Sequence, residues 1–294
     1  MTEPDLIGPS SNFYISQRLR LHYVDWGNED APLLLLIHGG RDHARSWDWV
    51  ARELRRDYHV VAPDLRGHGD SAWSIGGNYG LMDFVLDITR LVEALGAPRL
   101  RVVGHSLGGN VALHYAGLFP ERVSHLVAVE GLGPAPEIVA QYTKEPANKR
   151  LLEWIEAMQG LAARMPRRYA SIDEAADRMQ TENSFLSHEQ ARHLTVHGVA
   201  RNEDGTFSWK FDNYVRVFSP ARLRLDETEA LWTHITAPTL LMRGMESWAS
   251  DPEEDGRARH FQNARVANVA SAGHWVHHDQ LGEFLELVRP FFRD

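Results

Sequence analysis

The stretch Leu100-Arg101-Val102-Val103-Gly104-His105-Ser106-Leu107-Gly108-Gly109-Asn110 decides the fold. An apolar run, Leu100 to Val103, stops at Gly104, and a helix-like stretch from Asn110 to Leu118 begins just after Gly109. The order is strand, tight turn, helix, with a serine at the apex. In G-x-S-x-G a serine held on a strained turn needs neighbours two residues away without side chains, because strand and helix backbones cross there. The hydroxyl then stands clear over a helix N-terminus, whose free N–H groups favour developing negative charge. Ser106 is therefore the candidate nucleophile.

Composition narrows what surrounds that turn. A chain of 294 residues is long enough to bury a large core. Its 31 Lys and Arg against 40 Asp and Glu give a net charge of −9. No basic block or aromatic-interleaved basic stripe offers a grip on phosphates, so nucleic acid is not an expected partner. Without cysteine there is no disulfide framework, thiolate nucleophile or Cys-based metal site. Met1 to Ser11 is polar, with Pro4 and Pro9, and lacks a signal pattern; the longest apolar run, Leu33 to Ile37, is too short to span a bilayer. A soluble cytoplasmic protein without membrane partners is expected.

Outward from the serine turn, the chain alternates strands and helices. Phe13 to Ile15 and Arg18 to Asp25 alternate apolar and polar residues and predict an antiparallel hairpin. Leu33 to Ile37 is continuously apolar, as a strand covered on both faces should be, and runs into His38-Gly39-Gly40-Arg41-Asp42. Ser46 to Arg56 has an amphipathic helical pattern, Tyr58 to Ala62 is a buried strand, and Pro63 to Ser71 is a tight polar turn. Leu81 to Leu95 forms a helix ended by Gly96 and Pro98, and Val123 to Val129 is another strand. This rhythm predicts an α/β fold with a doubly wound, mostly parallel sheet and a site at the strands' C-terminal ends.

After Glu130-Gly131-Leu132-Gly133-Pro134 the alternation breaks. From about residue 135 to 235 there are helical stretches, such as Lys149 to Met158 and Ile172 to Glu182, and no buried strand. Residues 135–235 are expected to form an inserted helical cap on a core made of residues 1–134 and 236–294. Strands resume at Pro238 to Gly244 and Arg265 to Val269, followed by Ala272-Gly273-His274-Trp275 and a closing helix, Leu281 to Phe292.

Five features in this order resemble the α/β-hydrolase superfamily: His38-Gly39-Gly40, Asp64-x-Arg66-Gly67-x-Gly69-x-Ser71, Gly104-x-Ser106-x-Gly108-Gly109, the insertion, and Ala272-Gly273-His274. Within it the chain resembles cap-bearing serine esterases and serine hydrolase-like proteins. It is also similar to haloalkane dehalogenases and epoxide hydrolases, which carry Asp where this chain has Ser106. The resemblance implies a Ser nucleophile, a late His base and a carboxylate between them in sequence.

His274 fits the base by position, in a Gly-containing loop after the last apolar strand. His277 and His278 belong to the start of the next helix, and His105 flanks the serine on the wrong side of the turn. The resemblance implies an oxyanion hole from the backbone N–H groups of Leu107 and Gly40. His38 is expected to brace its loop, and Asp64 with Arg66 to form a structural ion pair or turn network. The acid departs from the common pattern. Most relatives carry a carboxylate three or four residues after the Gly that ends the strand before the last, where this chain has Ser247 and Trp248. Glu130, at the end of the Val123 to Val129 strand, is favoured, and Asp251 stays open as the alternative.

Trp154, Phe185, Trp209, Phe211, Tyr214 and Phe218 in the insertion, with Trp47 and Trp248 from the core, are candidate cleft-lining aromatics, a minority of them facing substrate. Met158, Met165 and Met179 are expected to fill core gaps. His277-His278-Asp279 are adjacent and should diverge on a helix, and no cluster suggests a metal. These residues predict a hydrolase without cofactor or metal, acting on small-molecule carboxylic esters of small to medium hydrophobic acyl groups through a Ser-His-Glu/Asp triad. A carbon–carbon bond hydrolase, lactonase, thioesterase or amidase would use the same machinery. A ligand receptor retaining the pocket is the reading from another class, against which the intact nucleophile and base argue. Whether the chain is a monomer or a homo-oligomer is left open.

Overall fold

Leu33 to Ile37 form a strand with all five side chains buried, and their alternation shows how the sheet is covered. Leu33, Leu35 and Ile37 pack into one apolar cluster, and Leu34 and Leu36 into another on the opposite face. Period-two geometry turns one apolar run into the centre of a three-layer sandwich. At about 1.5–3 kcal/mol for each buried aliphatic side chain, this strand contributes strongly to the register of its neighbours.

The computed structural model describes residues 8–217 and 219–293; most of the polar N-terminal stretch and Phe218 lie outside the described residues. The first half comprises β1 (Ser10–Ser16), β2 (Leu19–Asp25), β3 (Leu33–Ile37), α1 (Asp48–Leu54), β4 (His59–Pro63), α2 (Leu81–Ala94), β5 (Leu100–His105), α3 (Leu107–Leu118) and β6 (Val123–Val129). An insertion follows, with helices α4 (Pro136–Lys144), α5 (Ala147–Ala162), α6 (Ile172–Glu182) and α7 (His188–Gly198), then β7 (Val199–Arg201) and β8 (Phe207–Trp209). The chain returns through α8 (Leu225–Trp232), β9 (Thr239–Gly244), β10 (Ala264–Val269), α9 (Val276–Asp279) and α10 (Leu281–Phe291).

The main sheet has eight strands in the order β1-β2-β4-β3-β5-β6-β9-β10. β1 and β2 are antiparallel, and from β4 to β10 the pairs are parallel. This is the α/β hydrolase fold with a helical insertion, α4 to α7. The β1–β2 turn falls on Gln17 and Arg18, one residue later than the sequence suggested, and both have positive φ, 46° and 69°. Paired positive φ values suit a two-residue hairpin loop. One sheet face is covered by Ile88 and Leu91 of α2, Val111 of α3 and Trp232 of α8, the other by Val50 of α1 and Phe284 and Val288 of α10.

The insertion packs differently. No residue of α4 or α5 is buried. It carries two small apolar clusters, one around Tyr169, Ala175 and Val199, the other around Leu186, Ala191 and Leu194. β7 and β8 pair as a short antiparallel ribbon, an element absent from the sequence reading because three-residue strands give too little alternation to detect. Polar contacts tie the insertion to the sheet: His43 Nε2 donates to Leu194 O (2.8 Å), Gln190 Nε2 to His278 O (2.9 Å) and Tyr79 Oη to Asp212 Oδ2 (2.6 Å). Among the described residues no helix is long and apolar enough to cross a membrane.

Candidate active site

The serine turn has the crossing geometry that its glycines predict. A Cβ on Gly104 would lie 2.4 Å from Gly108 O, one on Gly108 would lie 2.3 Å from Ile37 O, and one on Gly109 would lie 2.6 Å from Gly131 Cα. These are backbone atoms with no room to yield. Ser106 itself has φ 51° and ψ −115°. Such a conformation costs about 1–3 kcal/mol and persists only where the surroundings impose it. Here Ser106 N–H donates to Val129 O (2.8 Å) and Ser106 O accepts from Asn110 N–H (3.0 Å), clamping both sides of the turn. Helix α3 begins at Leu107, three residues before the sequence suggested, because the sheet edge overrides the poor helix propensity of Gly108 and Gly109. Leu107 N–H thus belongs to the first turn, where intrahelical acceptors are missing. Gly40 lies beside it, with its Cβ position 3.9 Å from the Leu107 side chain.

Glu130 follows the last residue of β6 with φ 54°, and its side chain is fully buried. Glu130 Oε1 accepts from Gly244 N–H (2.8 Å), and Glu130 Oε2 accepts from Ser247 Oγ (2.7 Å) and His274 Nδ1 (3.1 Å). A buried carboxylate is costly unless donors replace its water, and here three do. Asp251 is engaged elsewhere: its oxygens accept from Asn268 Nδ2 (2.6 Å) and Glu253 N–H (2.8 Å).

His274 is held on several sides. His105 Nε2 donates to His274 O (2.9 Å), and the His105 ring lies 4.8 Å from the His274 ring. Burial, with His274 next to it, keeps His105 neutral by pushing its pKa well below the usual value. Trp248, exposed on its outer side, lies over His274 with ring centroids 5.2 Å apart. Asp279 Oδ2 accepts from Gly273 N–H (2.8 Å), and burial raises the Asp279 carboxyl to about 6 against the opposing effects of that bond and of His274. The structure thus joins Glu130 to His274. Ser106 Oγ has no hydrogen-bond partner among the described residues; its neighbour His105 supplies the contact to the His274 loop. Nucleophile–base contacts are often long in free enzymes and tighten with substrate.

The supporting turn differs from a simple Asp64–Arg66 pair. Asp64 accepts from His22 Nδ1 (2.7 Å), Ala44 N–H (2.7 Å) and Asp70 N–H (2.8 Å). Burial alone would raise its pKa, yet the His22 bond and charge hold it well below the usual carboxylate range. Arg66 instead forms a bidentate pair with Asp87, at 2.6 Å for each bond. His38 braces its loop, accepting from Leu65 N–H (3.0 Å) and donating to Gly39 O (2.6 Å), and burial beside His68 pushes it down to about 3.

Several aromatic and metal expectations need correction. Trp47 is fully buried and stacks on His277 at 4.2 Å, so it belongs to the core. Met165 is 80 % exposed and fills no gap. Phe185 is half-exposed, and its ring lies 3.1 Å from the Cβ position of Gly273, beside the His274 loop. The His277 and His278 rings do not diverge: they lie 4.3 Å apart, His277 against Trp47 and His278 bonded to Ser46 Oγ (2.9 Å). The fold also gathers two groups with metal-ligating atoms that the sequence did not suggest, Asp48-His193-His197 and His22-Asp64-Asp70. Protein donors already engage both: Arg45 binds Asp48 through Nε at 2.9 and 2.8 Å, and Asp64 holds the three donors above.

A parallel sheet with a strained serine between β5 and α3, and a buried carboxylate on a late histidine, defines a class of folds, and comparison with known proteins agrees. Residues 32–281 match the alpha/beta hydrolase fold family, and the chain belongs to it. It is similar to epoxide hydrolase 4 of Mus musculus, 28% identical over 94% of this chain and 77% of that protein. Esterase Rv0045c of Mycobacterium tuberculosis is 29% identical, over 90% of this chain and 83% of its own length. Among solved structures, the thioesterase domain from the curacin biosynthetic pathway superposes with a TM-score of 0.83 at 25% identity, covering 96% of this chain and 99% of that domain.

Proposed function

We propose that this α/β hydrolase is a serine esterase cleaving carboxylic esters of small to medium hydrophobic acyl groups, with Ser106 as nucleophile, His274 as base and Glu130 as acid. The observation that carries the reading is the buried Glu130 Oε2 at 3.1 Å from His274 Nδ1, at the strand ends that also hold Ser106. Ser106 Oγ attacks the ester carbonyl carbon while His274 Nε2 takes its proton. The carbonyl oxygen becomes an oxyanion facing Leu107 N–H and Gly40 N–H. Collapse breaks the C–O bond, and the departing alkoxide takes the proton from His274. Water then attacks the acyl-enzyme, again losing its proton to His274, and Ser106 leaves with that proton as the carboxylic acid is released. Glu130 keeps His274 Nδ1 protonated and stabilises the imidazolium in both halves.

The insertion from α4 to β8 acts in this reading as a cap whose Trp154 and Trp209 limit acyl length, while α8, inside the 135–235 stretch expected to be cap, packs on the core. Both are half-buried, Trp209 with one side packed on the Tyr169, Ala175 and Val199 cluster and its indole N–H donating to Tyr169 Oη (3.2 Å). The similarity to a thioesterase domain favours thioesters as a second substrate class for the same acyl chemistry. A fluorophosphonate probe, followed by peptide mapping, should label Ser106, and a panel of p-nitrophenyl esters and acyl thioesters should rank the two classes. Labelling at another residue, or no turnover of either panel, contradicts the reading.

A further inference from the structure

The loop after β9 has Ser247 three residues beyond Gly244, where a carboxylate was expected from the resemblance, and the Ser247 hydroxyl is turned onto the carboxylate of another strand. We infer that Ser247 is a positioning residue for the reaction: it donates its hydroxyl proton to Glu130 Oε2 and thereby fixes the carboxylate that orients His274. This rests on the reading of Glu130 as the triad acid.

Ser247 Oγ is oriented before it meets Glu130. It accepts from Ala249 N–H (3.3 Å), which leaves its own proton for Glu130 Oε2 at 2.7 Å. Ala249 O in turn accepts from Arg243 Nε (2.7 Å), tying the loop back to β9. The same loop is bolted to the histidine's loop, since Glu246 N–H donates to Ala272 O (2.9 Å) and a Cβ on Gly244 would lie 2.1 Å from Gly273 O. Ser247 therefore moves with His274.

The consequence for the acid follows from counting donors. Glu130 has no exposed side-chain surface, so water does not replace a lost partner. Oε1 is satisfied by Gly244 N–H, while Oε2 is shared between Ser247 and His274. With the Ser247 hydroxyl gone, Oε2 would have His274 as its single donor, and the Gly244 N–H on Oε1 would be the one remaining fixed contact holding the carboxylate while the imidazole gains and loses charge. Ser247 has a different place from the reacting atoms: it is half-buried behind Glu130, so substrate affinity should not depend on it.

The test is steady-state ester hydrolysis by Ser247→Ala, Ser247→Thr, Glu130→Gln and the Ser247→Ala/Glu130→Gln pair, with thermal melts confirming that each is folded. Ser247→Ala should lower kcat on the order of 10- to 100-fold at unchanged KM, the scale of one hydrogen bond to a charged group. Ser247→Thr, which keeps the hydroxyl, should recover most of that loss. In the Glu130→Gln background the Ser247→Ala loss should shrink to about threefold or less, since the two act as a unit. Wild-type kcat in Ser247→Ala, an equal loss in Ser247→Thr, or an undiminished loss in the Glu130→Gln background overturns the inference. Full activity of Glu130→Gln alone would instead strike at the reading of Glu130, which separates the two failures.

Discussion

The strand ends and the insertion hold their side chains in opposite ways. At the strand ends, Arg41, Ser106, Glu130 and Ser271 all have positive φ, between 51° and 64°, in the loops after β3, β5, β6 and β10. Buried apolar strands on both faces hold this strain in place, and four such residues cost several kcal/mol together. Among its described residues the insertion has no non-glycine positive φ: α4 and α5 bury nothing, and it attaches to the core through polar contacts such as His43 to Leu194 O and His193 to Asp48 and through side-chain packing such as Trp49 on His193. Chemistry that demands sub-ångström geometry is thus built where packing is dense. The part that would meet substrate in the proposed reading is built where packing is loose, and local opening costs least there.

Substitutions can break this contrast, and the largest effect should come from the strained serine. Ser106→Ala should lower kcat by on the order of 10³-fold or more in ester turnover while leaving the melting temperature near that of the wild type, because the side chain carries chemistry rather than packing. Near-normal turnover would remove the nucleophile. In the dense region, Trp232→Ala should cost about 3–5 kcal/mol in urea or thermal unfolding, since the indole is 1 % exposed in the main core cluster and stacks on Phe261. The same truncation at Trp154, half-buried on α5 of the insertion, should cost under about 1 kcal/mol yet shift the acyl-length profile of kcat/KM. Equal stability losses at the two tryptophans would erase the difference between the regions.

Acid should act on the dense region first. Burial pushes His38 down to about 3, His68 to about 4 and His278 to about 3, against the ordinary 6.5. The unfolded chain therefore binds protons that the folded chain does not. Stability from these groups is fully present above pH 6.5 and is lost as pH falls from 6.5 toward 3–4. Asp279 opposes this weakly: its raised pKa, about 6, makes its contribution decline as pH rises from 3.8 to 6. Urea midpoints measured from pH 7 to 4 should fall steeply, and a flat profile would contradict the buried neutral histidines.

How much of this was legible in the sequence follows the same divide. β3, β6 and α6 occupy the stretches read from apolar pattern alone, because burial on both faces or on one helix face writes a strong local period. The glycines around Ser106 were legible because close backbone approach excludes every other residue. Contacts between distant segments were not. Asp64 was visible as a turn residue, but its partner His22 lies 42 positions away, and Arg66 reaches Asp87 across 21. The position held by Ser247 stood out as lacking a carboxylate, yet its bond to Glu130 spans 117 positions and leaves no local signature. His105 was dismissed for facing the wrong side of the turn, and that side is where it supports the His274 backbone.

The proposed triad takes its acid from the end of β6 rather than from the loop after β9, and one paired measurement tests that placement. Steady-state ester hydrolysis should be compared for Glu130→Gln and Asp251→Asn, each checked by thermal melt. Glu130→Gln keeps the hydrogen-bonding shape without the charge and should lower kcat on the order of 10²–10⁴-fold, while Asp251→Asn, whose carboxylate is occupied by Asn268 and the Glu253 N–H, should stay within about threefold of wild type. A crippled Asp251→Asn enzyme beside an active Glu130→Gln enzyme would contradict the assignment of the acid.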